Sequence, residues 1–228
     1  MKERLARIYD NIAGICRRVG RDPAEITLVG VTKYSESARI QEALDCGLAH
    51  IGENRVQDAQ QKFSLLKFPA GVTKHLLGHL QTNKVKVAVG LFDLFQSVDS
   101  LRLAEEIEKQ AAKLNRTVDI LIQVNCSGEE QKSGASKPEA LDLMDRVADL
   151  EHVRIKGLMT MAPLTEDKTL VRQAFRDLRL IRDQAVPLLK RKGRGEMKYL
   201  SMGMSQDYEI ALEEGATMLR IGSAIFGK

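Results

Sequence analysis

Lys33 is the residue of this sequence whose type and position suggest the most specific chemistry. It follows the apolar, β-branched run at residues 26–32, and alternation along a strand directs its side chain to the same side as Val29 and Val31. If those valines are buried, the amine of Lys33 lies at the end of the strand, where we expect it to be poorly solvated. A desolvated lysine amine suits Schiff-base formation with a carbonyl compound.

A second set of residues suits phosphate binding. The last apolar run ends in Gly222 and Ser223 and leads directly into a predicted short helix, and backbone N–H groups at such a start bind anions. Ser201 and Ser205 lie on the preceding run, share one face and add two hydroxyl donors. Arg220 lies two residues before Gly222 and is predicted to share its inward face.

Polar residues close most of the other apolar runs as well. They are Asn54, His79, Gln81, Ser97, Asn125 and Thr160. His75 and His79 are four residues apart and could both face a metal ion, but no third ligand is close in sequence, so we predict no metal site. Glu53 could act as a general base, although at the predicted start of a helix it is more simply a favourable N-terminal charge.

The elements that would position these residues alternate regularly along the chain. The strand-like runs are residues 26–32, 49–52, 74–80, 94–98, 119–125, 154–162, 198–204 and 217–222. The helix-like segments between them are residues 37–46, 55–66, 82–89, 100–114, 138–150, 167–190 and 206–213, and residues 1–19 form an additional helix in front.

Eight alternating units predict a closed, parallel (β/α)8 barrel of the TIM type with an extra N-terminal helix, in one domain covering residues 1–228. The alternative is an open doubly wound sheet, which would need a glycine-rich turn after the first strand. That strand instead ends in Val31-Thr32-Lys33-Tyr34, which favours the barrel.

Composition excludes several classes of protein. The 228 residues include 35 Lys+Arg and 31 Asp+Glu, a net charge of only +4, and Trp is absent, so we expect no nucleic-acid surface. No apolar run reaches the ~18 residues of a membrane span, and the N-terminus lacks a signal-peptide core. The three cysteines, Cys16, Cys46 and Cys126, form no C-x-x-C pair. We therefore predict a protein of the reducing cytoplasm.

A barrel collects chemistry at the carboxyl ends of its strands, particularly phosphate sites after strands seven and eight. The predicted topology thus combines an aldehyde-reactive lysine on strand one with a phosphate cradle on strands seven and eight, and we expect the cradle to lie opposite the lysine. This combination is typical of a pyridoxal phosphate (PLP) site.

Six segments carry a family resemblance that covers nearly the whole chain in the same order. They are residues 29–33, 51–54, 75–84, 157–163, 200–205 and 220–227. The chain resembles the pyridoxal phosphate homeostasis protein family, whose fold is similar to the N-terminal barrel of alanine racemase. Two minor departures are Tyr34, where a small polar residue such as Thr is more usual, and Ser223, where Thr is common.

The resemblance implies a role for each of the main site residues. Lys33 would hold PLP as a Schiff base, Arg220 would face the pyridine nitrogen, and Asn54 would lie near the ring. Ser205, Gly222 and Ser223 would hold the phosphate. The complete predicted set of cofactor-binding residues is Lys33, Asn54, His79, Ser201, Met204, Ser205, Arg220, Gly222 and Ser223.

Three functions are compatible with these residues: a protein that buffers or delivers PLP, a PLP-dependent amino-acid racemase, and a sugar-phosphate enzyme with an aldolase-type lysine. A pyridine nitrogen facing Arg220 stays unprotonated, which makes the ring a poor electron sink. A racemase also needs an acid or base on each face of its substrate. We therefore favour a monomeric PLP carrier with no catalytic residue, whose partners include PLP-dependent apoenzymes.

Overall fold

A computed structural model describes residues 1–129 and 133–227, and its strands form a closed parallel barrel in chain order. The strands are β1 Thr27–Val31, β2 His50–Glu53, β3 Thr73–Leu76, β4 Leu94–Val98, β5 Val118–Gln123, β6 Val153–Met159, β7 Tyr199–Ser201 and β8 Met218–Ile221. The predicted (β/α)8 barrel is confirmed.

The helices surround the barrel, and the predicted extra helix, α1, precedes β1. The helices are α1 Lys2–Arg18, α2 Ser37–Asp45, α3 Val56–Phe63, α4 Val85–Leu91, α5 Leu101–Lys113, α6 Ala140–Val147, α7 Lys168–Lys192, α8 Tyr208–Glu213 and α9 Ser223–Phe226. Within the described part of the chain, no helix combines the length and apolar character that a membrane crossing requires.

Two apolar layers hold the fold together. The larger layer lies between the helices and the outer face of the barrel, and it includes α1 residues such as Leu5 and Ile12, spaced for one helical face. The smaller layer fills the barrel interior with Val29, Leu94, Leu121, Met159 and Met218. Because Val29 belongs to this inner layer, the predicted inward direction of alternate β1 residues is confirmed.

Some strands are shorter than predicted. β3 ends at Leu76 instead of residue 80, and the following segment turns across the carboxyl end of β2. Gly78 makes this turn possible, because a Cβ atom there would lie 2.3 Å from the Asn54 carbonyl oxygen. His79 therefore belongs to a loop at the mouth of the barrel and not to the strand that carries His75.

Candidate functional site

Closure of the barrel brings the two predicted halves of the site together. β8 pairs with β1, with Arg220 level with Val29 and Ile221 level with Gly30. A Cβ atom on Gly222 would lie only 3.3 Å from the Val31 carbonyl oxygen. The segment predicted to bind phosphate therefore lies beside the segment that carries Lys33 and not opposite it, because the first and last strands of a closed barrel are neighbours.

Lys33 lies two residues beyond β1, in a turn at the carboxyl end of the barrel. Its side chain is exposed to solvent. The prediction that its amine is poorly solvated is therefore wrong for the protein without a bound ligand. The Nζ atom lies 5.1 Å from the centroid of the Tyr34 ring, within the range of a cation–π contact. Tyr34 itself is 90 % exposed, so it leaves the amine open to solvent on its other sides.

The main chain around Lys33 is fixed by a side chain of α3. Lys62 Nζ donates to the carbonyl oxygens of Thr32 and Lys33, at 2.7 and 3.1 Å, and to Glu53 Oε1 at 2.7 Å. These three bonds use all three protons of the ammonium group. Thr32 Oγ1 also donates to Glu53 Oε1 at 2.7 Å, so one buried carboxylate anchors the turn from two sides.

Glu53 has a different role from the one its position suggested. It is the last residue of β2 and is fully buried, whereas α3 begins three residues later with Arg55 as its N-cap. The interpretation as a helix N-terminal charge is therefore wrong. Sequence reasoning missed Lys62 as its partner, although a buried acid next to a strand end signals the need for one.

Two hydroxyl groups of the predicted phosphate cradle lie close together. Ser205 Oγ and Ser223 Oγ are 3.3 Å apart, and Ser223 opens α9 directly after Gly222. In α9 the amides of Ile225 and Phe226 donate to the Gly222 carbonyl oxygen, whereas the first N–H groups of a helix have no acceptor within it. The turn that carries Ser205 is tied by the Met204 amide, which donates to Asp207 Oδ1 at 2.6 Å, while the Met204 side chain is exposed.

Arg220 lies inside the barrel beneath this cradle. Its Nη1 donates to Ser201 Oγ at 2.7 Å and its Nη2 donates to the Thr160 carbonyl oxygen at 2.9 Å. Burial lowers the pKa of Arg220 to about 10, partly offset by the carboxylate of Asp207. Among the described residues, no carboxylate lies within 4 Å of the guanidinium group, so an acceptor approaching from the mouth would find an incompletely neutralised cation.

Ser201 differs from the prediction in the use of its hydroxyl. The residue is fully buried, and Oγ both accepts from Arg220 and donates to Gln96 Oε1 at 2.6 Å. The hydroxyl is thus engaged by interior partners instead of joining Ser205 and Ser223. Ser201 therefore belongs to the candidate site indirectly, through the hydrogen bond that it accepts from Arg220.

Asn54 and His79 follow β2 and β3 at the mouth of the barrel. They line a cavity of about 500 Å³ together with Arg55, Gln81 and Lys84, and that cavity does not include Lys33 or the phosphate cradle. His79 is exposed and its Nδ1 lies 3.9 Å from Asp99 Oδ2.

The two histidines considered for a metal ion are separated. His75 points into the barrel, where both ring nitrogens have partners, whereas His79 lies in the loop beyond β3. No cluster of three or more metal-ligating side chains occurs within residues 1–129 and 133–227.

Comparisons with known proteins place these features in a family. Residues 4–228 match the family described as "Alanine racemase, N-terminal domain". The chain is 42% identical over 226 residues to the pyridoxal phosphate homeostasis protein of Aquifex aeolicus, covering 99% of this chain and 97% of that one. It is 38% identical over 228 residues to the protein of the same name from Escherichia coli K12, covering 98% of this chain and 94% of the relative.

A solved structure gives the same result. The structure of PipY from Synechococcus elongatus PCC7942 with PLP bound superimposes with a TM-score of 0.84 at 34% identity, covering 99% of each chain. The similarity in sequence, length and fold extends over the whole barrel. The chain therefore belongs to the pyridoxal phosphate homeostasis protein family.

Proposed function

We propose that this protein binds PLP at the carboxyl end of its barrel and serves PLP homeostasis by buffering the cofactor and delivering it to apoenzymes. One observation carries the proposal. A relative that is 34% identical over 99% of both chains has been solved with PLP bound. In this chain β8 pairs with β1, Gly222 lies beside Val31, two residues before Lys33, and the hydroxyls of Ser205 and Ser223 are 3.3 Å apart, which supports the proposal.

The chemistry of the residues present fits the cofactor. The Ser205 and Ser223 hydroxyls and the first N–H groups of α9 are the neutral donors that a phosphate group accepts from. Arg220, a buried donor without an adjacent carboxylate among the described residues, matches an unprotonated ring nitrogen. The amine of Lys33 is exposed, which suits a carrier, because the aldehyde of PLP must reach this amine from solvent and be released to solvent again.

Each group has a distinct task in this proposal. Bound PLP supplies an aldehyde and a conjugated ring. Lys33 binds the cofactor covalently through Nζ, while the Lys62 and Glu53 contacts hold the main chain of the turn. Ser205, Ser223 and the adjacent amides orient the phosphate, and Arg220 donates to the ring nitrogen and disfavours its protonation.

A transfer experiment tests the carrier function. The purified protein is saturated with PLP, freed of excess cofactor by gel filtration and mixed with an apoenzyme that depends on PLP. We expect a visible absorption band before mixing and recovery of apoenzyme activity afterwards. The same protein treated with borohydride before mixing is the control, because reduction locks the cofactor on the chain. Absence of a band, or equal recovery with the reduced protein, would contradict the proposal.

Ser205→Ala is expected to weaken PLP binding about ten- to hundredfold. The change removes one hydrogen bond to a charged group, which contributes about 1.5–3 kcal/mol. The measurement is a PLP titration followed by absorption or fluorescence. Ser100→Ala is a matched control, because Ser100 is exposed at the same end of the barrel and its side chain does not cap α5. Equal affinities of the two variants would exclude Ser205 from the phosphate site.

The protein alone is expected to show almost no turnover of amino acids. A racemase needs a proton acceptor and a donor on opposite faces of the substrate, and Tyr34 lies on the same segment as Lys33. The measurement is deuterium exchange at the α-carbon of L- and D-amino acids by NMR. Exchange at ordinary enzymatic rates, ~1–1000 per second, would mean that the racemase alternative is correct.

The cellular setting and assembly state belong to the same proposal. The three cysteines are free, and two of them, Cys16 and Cys126, are buried, which suits a reducing compartment. Burial raises the pKa of the Cys126 thiol to about 11, so this thiol is unreactive. We place the protein in the cytoplasm and expect a monomer.

A further inference from the structure

A row of hydrogen-bonded polar side chains runs through the barrel interior, which such barrels usually fill with branched aliphatic residues. Arg220 donates to Ser201 Oγ at 2.7 Å, and Ser201 Oγ donates to Gln96 Oε1 at 2.6 Å. Gln96 Nε2 lies 2.9 Å from His75 Nδ1, and His75 Nε2 lies 3.1 Å from His50 Nδ1. Ser201, Gln96 and His75 are fully buried, so these bonds are shielded from water.

The direction of donation along this row follows from its first member. Arginine can only donate, so Ser201 Oγ accepts from Arg220 and directs its own proton to Gln96 Oε1. The amide nitrogen of Gln96 must then face the other way, where it lies 3.1 Å from Met218 Sδ, a weak acceptor, and close to His75 Nδ1. Rotating the amide would take the Gln96 acceptor away from the Ser201 hydroxyl proton and would place the carbonyl oxygen of Gln96 against the Met218 sulfur.

The same logic determines which nitrogens of the two histidines carry a proton. His75 accepts at Nδ1 from Gln96, so its proton is on Nε2 and is donated to His50 Nδ1. Burial, reinforced by the neighbouring His50, lowers the pKa of His75 to about 3, so His75 is neutral. His50 in turn accepts at Nδ1 and keeps its proton on Nε2.

His50 opens into a cavity at the end of the barrel opposite Lys33. The cavity has a volume of about 300 Å³, and the residues that line it include His50, His75, Asp119, Lys156, Glu196 and Lys198. Its charges are partly paired, since Lys156 contacts Glu196 at 3.0 Å and Arg154 contacts Asp119 at 2.9 Å. Burial and the nearby Lys198 lower the pKa of His50, which agrees with its role as an acceptor.

We propose that Gln96 and His75 are positioning residues for Arg220, and that this row couples the cofactor end of the barrel to His50 at the other end. Because the Ser201 hydroxyl donates its proton to Gln96 Oε1, an oxygen lone pair of Ser201 remains available to accept from Arg220. The guanidinium is thus held at a defined height beneath the mouth by Ser201 and the Thr160 carbonyl. The coupling part rests on the proposed function, since it requires PLP at Arg220, and coupling of this kind is reciprocal.

The ligand-free protein gives the first test. Nitrogen-15 NMR of histidine-labelled protein reports which ring nitrogen carries the proton. We expect proton-bearing Nε2 and bare Nδ1 on both His75 and His50, with His75 showing no titration above the acid range. A protonated Nδ1 on His75 would overturn the assigned direction and with it the positioning role, whether or not PLP binds.

Ser201→Ala tests the connection to Arg220. It removes the link between Arg220 and Gln96, so the amide is free to rotate and the His75 signals should move towards a mixture of the two tautomers. Ser97→Ala is the matched control, because Ser97 is equally buried next to Gln96 but donates to the Gly78 carbonyl oxygen. Its histidine signals should match those of the unaltered protein. Identical tautomers in both variants would overturn the proposal, and Gln96→Met provides the same test if Ser201→Ala does not fold.

PLP addition tests the coupling. PLP should shift the His50 signals of the unaltered protein and of Ser97→Ala but not those of Ser201→Ala, whose PLP dissociation constant should rise about two- to tenfold, as expected for one lost hydrogen bond. An equal His50 shift in all three proteins would overturn the coupling. If PLP binds none of them, the proposed function is wrong, and the tautomers of the ligand-free protein alone decide the positioning role.

Discussion

Lys33→Ala is expected to eliminate covalent attachment of PLP while leaving the barrel folded. The Lys33 side chain is exposed and its amine lies over the ring of the exposed Tyr34, so its removal should cost little stability. The phosphate cradle stays intact, and the variant should therefore retain weak, reversible binding. Without the amine, however, no covalent bond to the cofactor aldehyde can form.

Borohydride reduction followed by peptide mass spectrometry measures this effect. The unaltered protein should carry about one pyridoxyl group per chain, located on Lys33, and the variant should carry only background labelling. Lys86→Ala is the control, because Lys86 is another exposed lysine, on α4, and should leave the labelling unchanged. Labelling located on Lys84 or Lys86 instead would contradict the assignment to Lys33, and labelling of Lys84 would point to the cavity beside Asn54.

Lys62→Met should destabilise the protein by about 3–5 kcal/mol, because it leaves the fully buried Glu53 carboxylate without its ion-pair partner. Glu53 Oε2 already has no hydrogen-bond partner among the described residues, so the loss at Oε1 is not compensated nearby. The carbonyl groups of Thr32 and Lys33 lose their donor at the same time. The measurement is urea unfolding followed by circular dichroism.

A double variant separates charge from packing in this cluster. Glu53→Gln combined with Lys62→Met removes both charges and should be more stable than Lys62→Met alone, by at least about 1 kcal/mol. The amide can still accept from Thr32 Oγ1, which keeps that contact. If the double variant is no more stable than the single one, the buried carboxylate is not the source of the effect.

Much of the architecture could be predicted because it depends on local patterns. Alternation around Val29 and around Arg220 correctly predicted the inward faces of β1 and β8, and the polar residues at strand ends indicated the mouth. The roles of individual site residues stay predictions, apart from the positions that the structure gives them.

The interior contacts could not be predicted because they depend on the relative heights of different strands. His75, Gln96 and Ser201 come from β3, β4 and β7, and sequence order alone does not determine which of their side chains meet. The contact between Glu53 and Lys62 could not be predicted either, because it depends on how α3 packs and therefore on whether Lys62 reaches the end of β2. The solvent exposure of Lys33 also differs from the prediction. The loops that could cover a strand end carry no periodic sequence pattern from which their position can be predicted.

The pairing of β8 with β1 has a consequence for folding kinetics. Val31 and Gly222 are separated by 190 residues of sequence, so the approach of these two residues closes a loop that contains nearly every element between β1 and β8. Contacts of such large sequence separation carry the highest entropic cost and form late. If PLP binds at the proposed site, a chain that has not yet paired β8 with β1 lacks that site, and PLP should bind only barrels that have closed. A ligand held by groups on both strands should also slow the separation of β1 from β8, so saturation with PLP is expected to protect both strands together from amide hydrogen exchange.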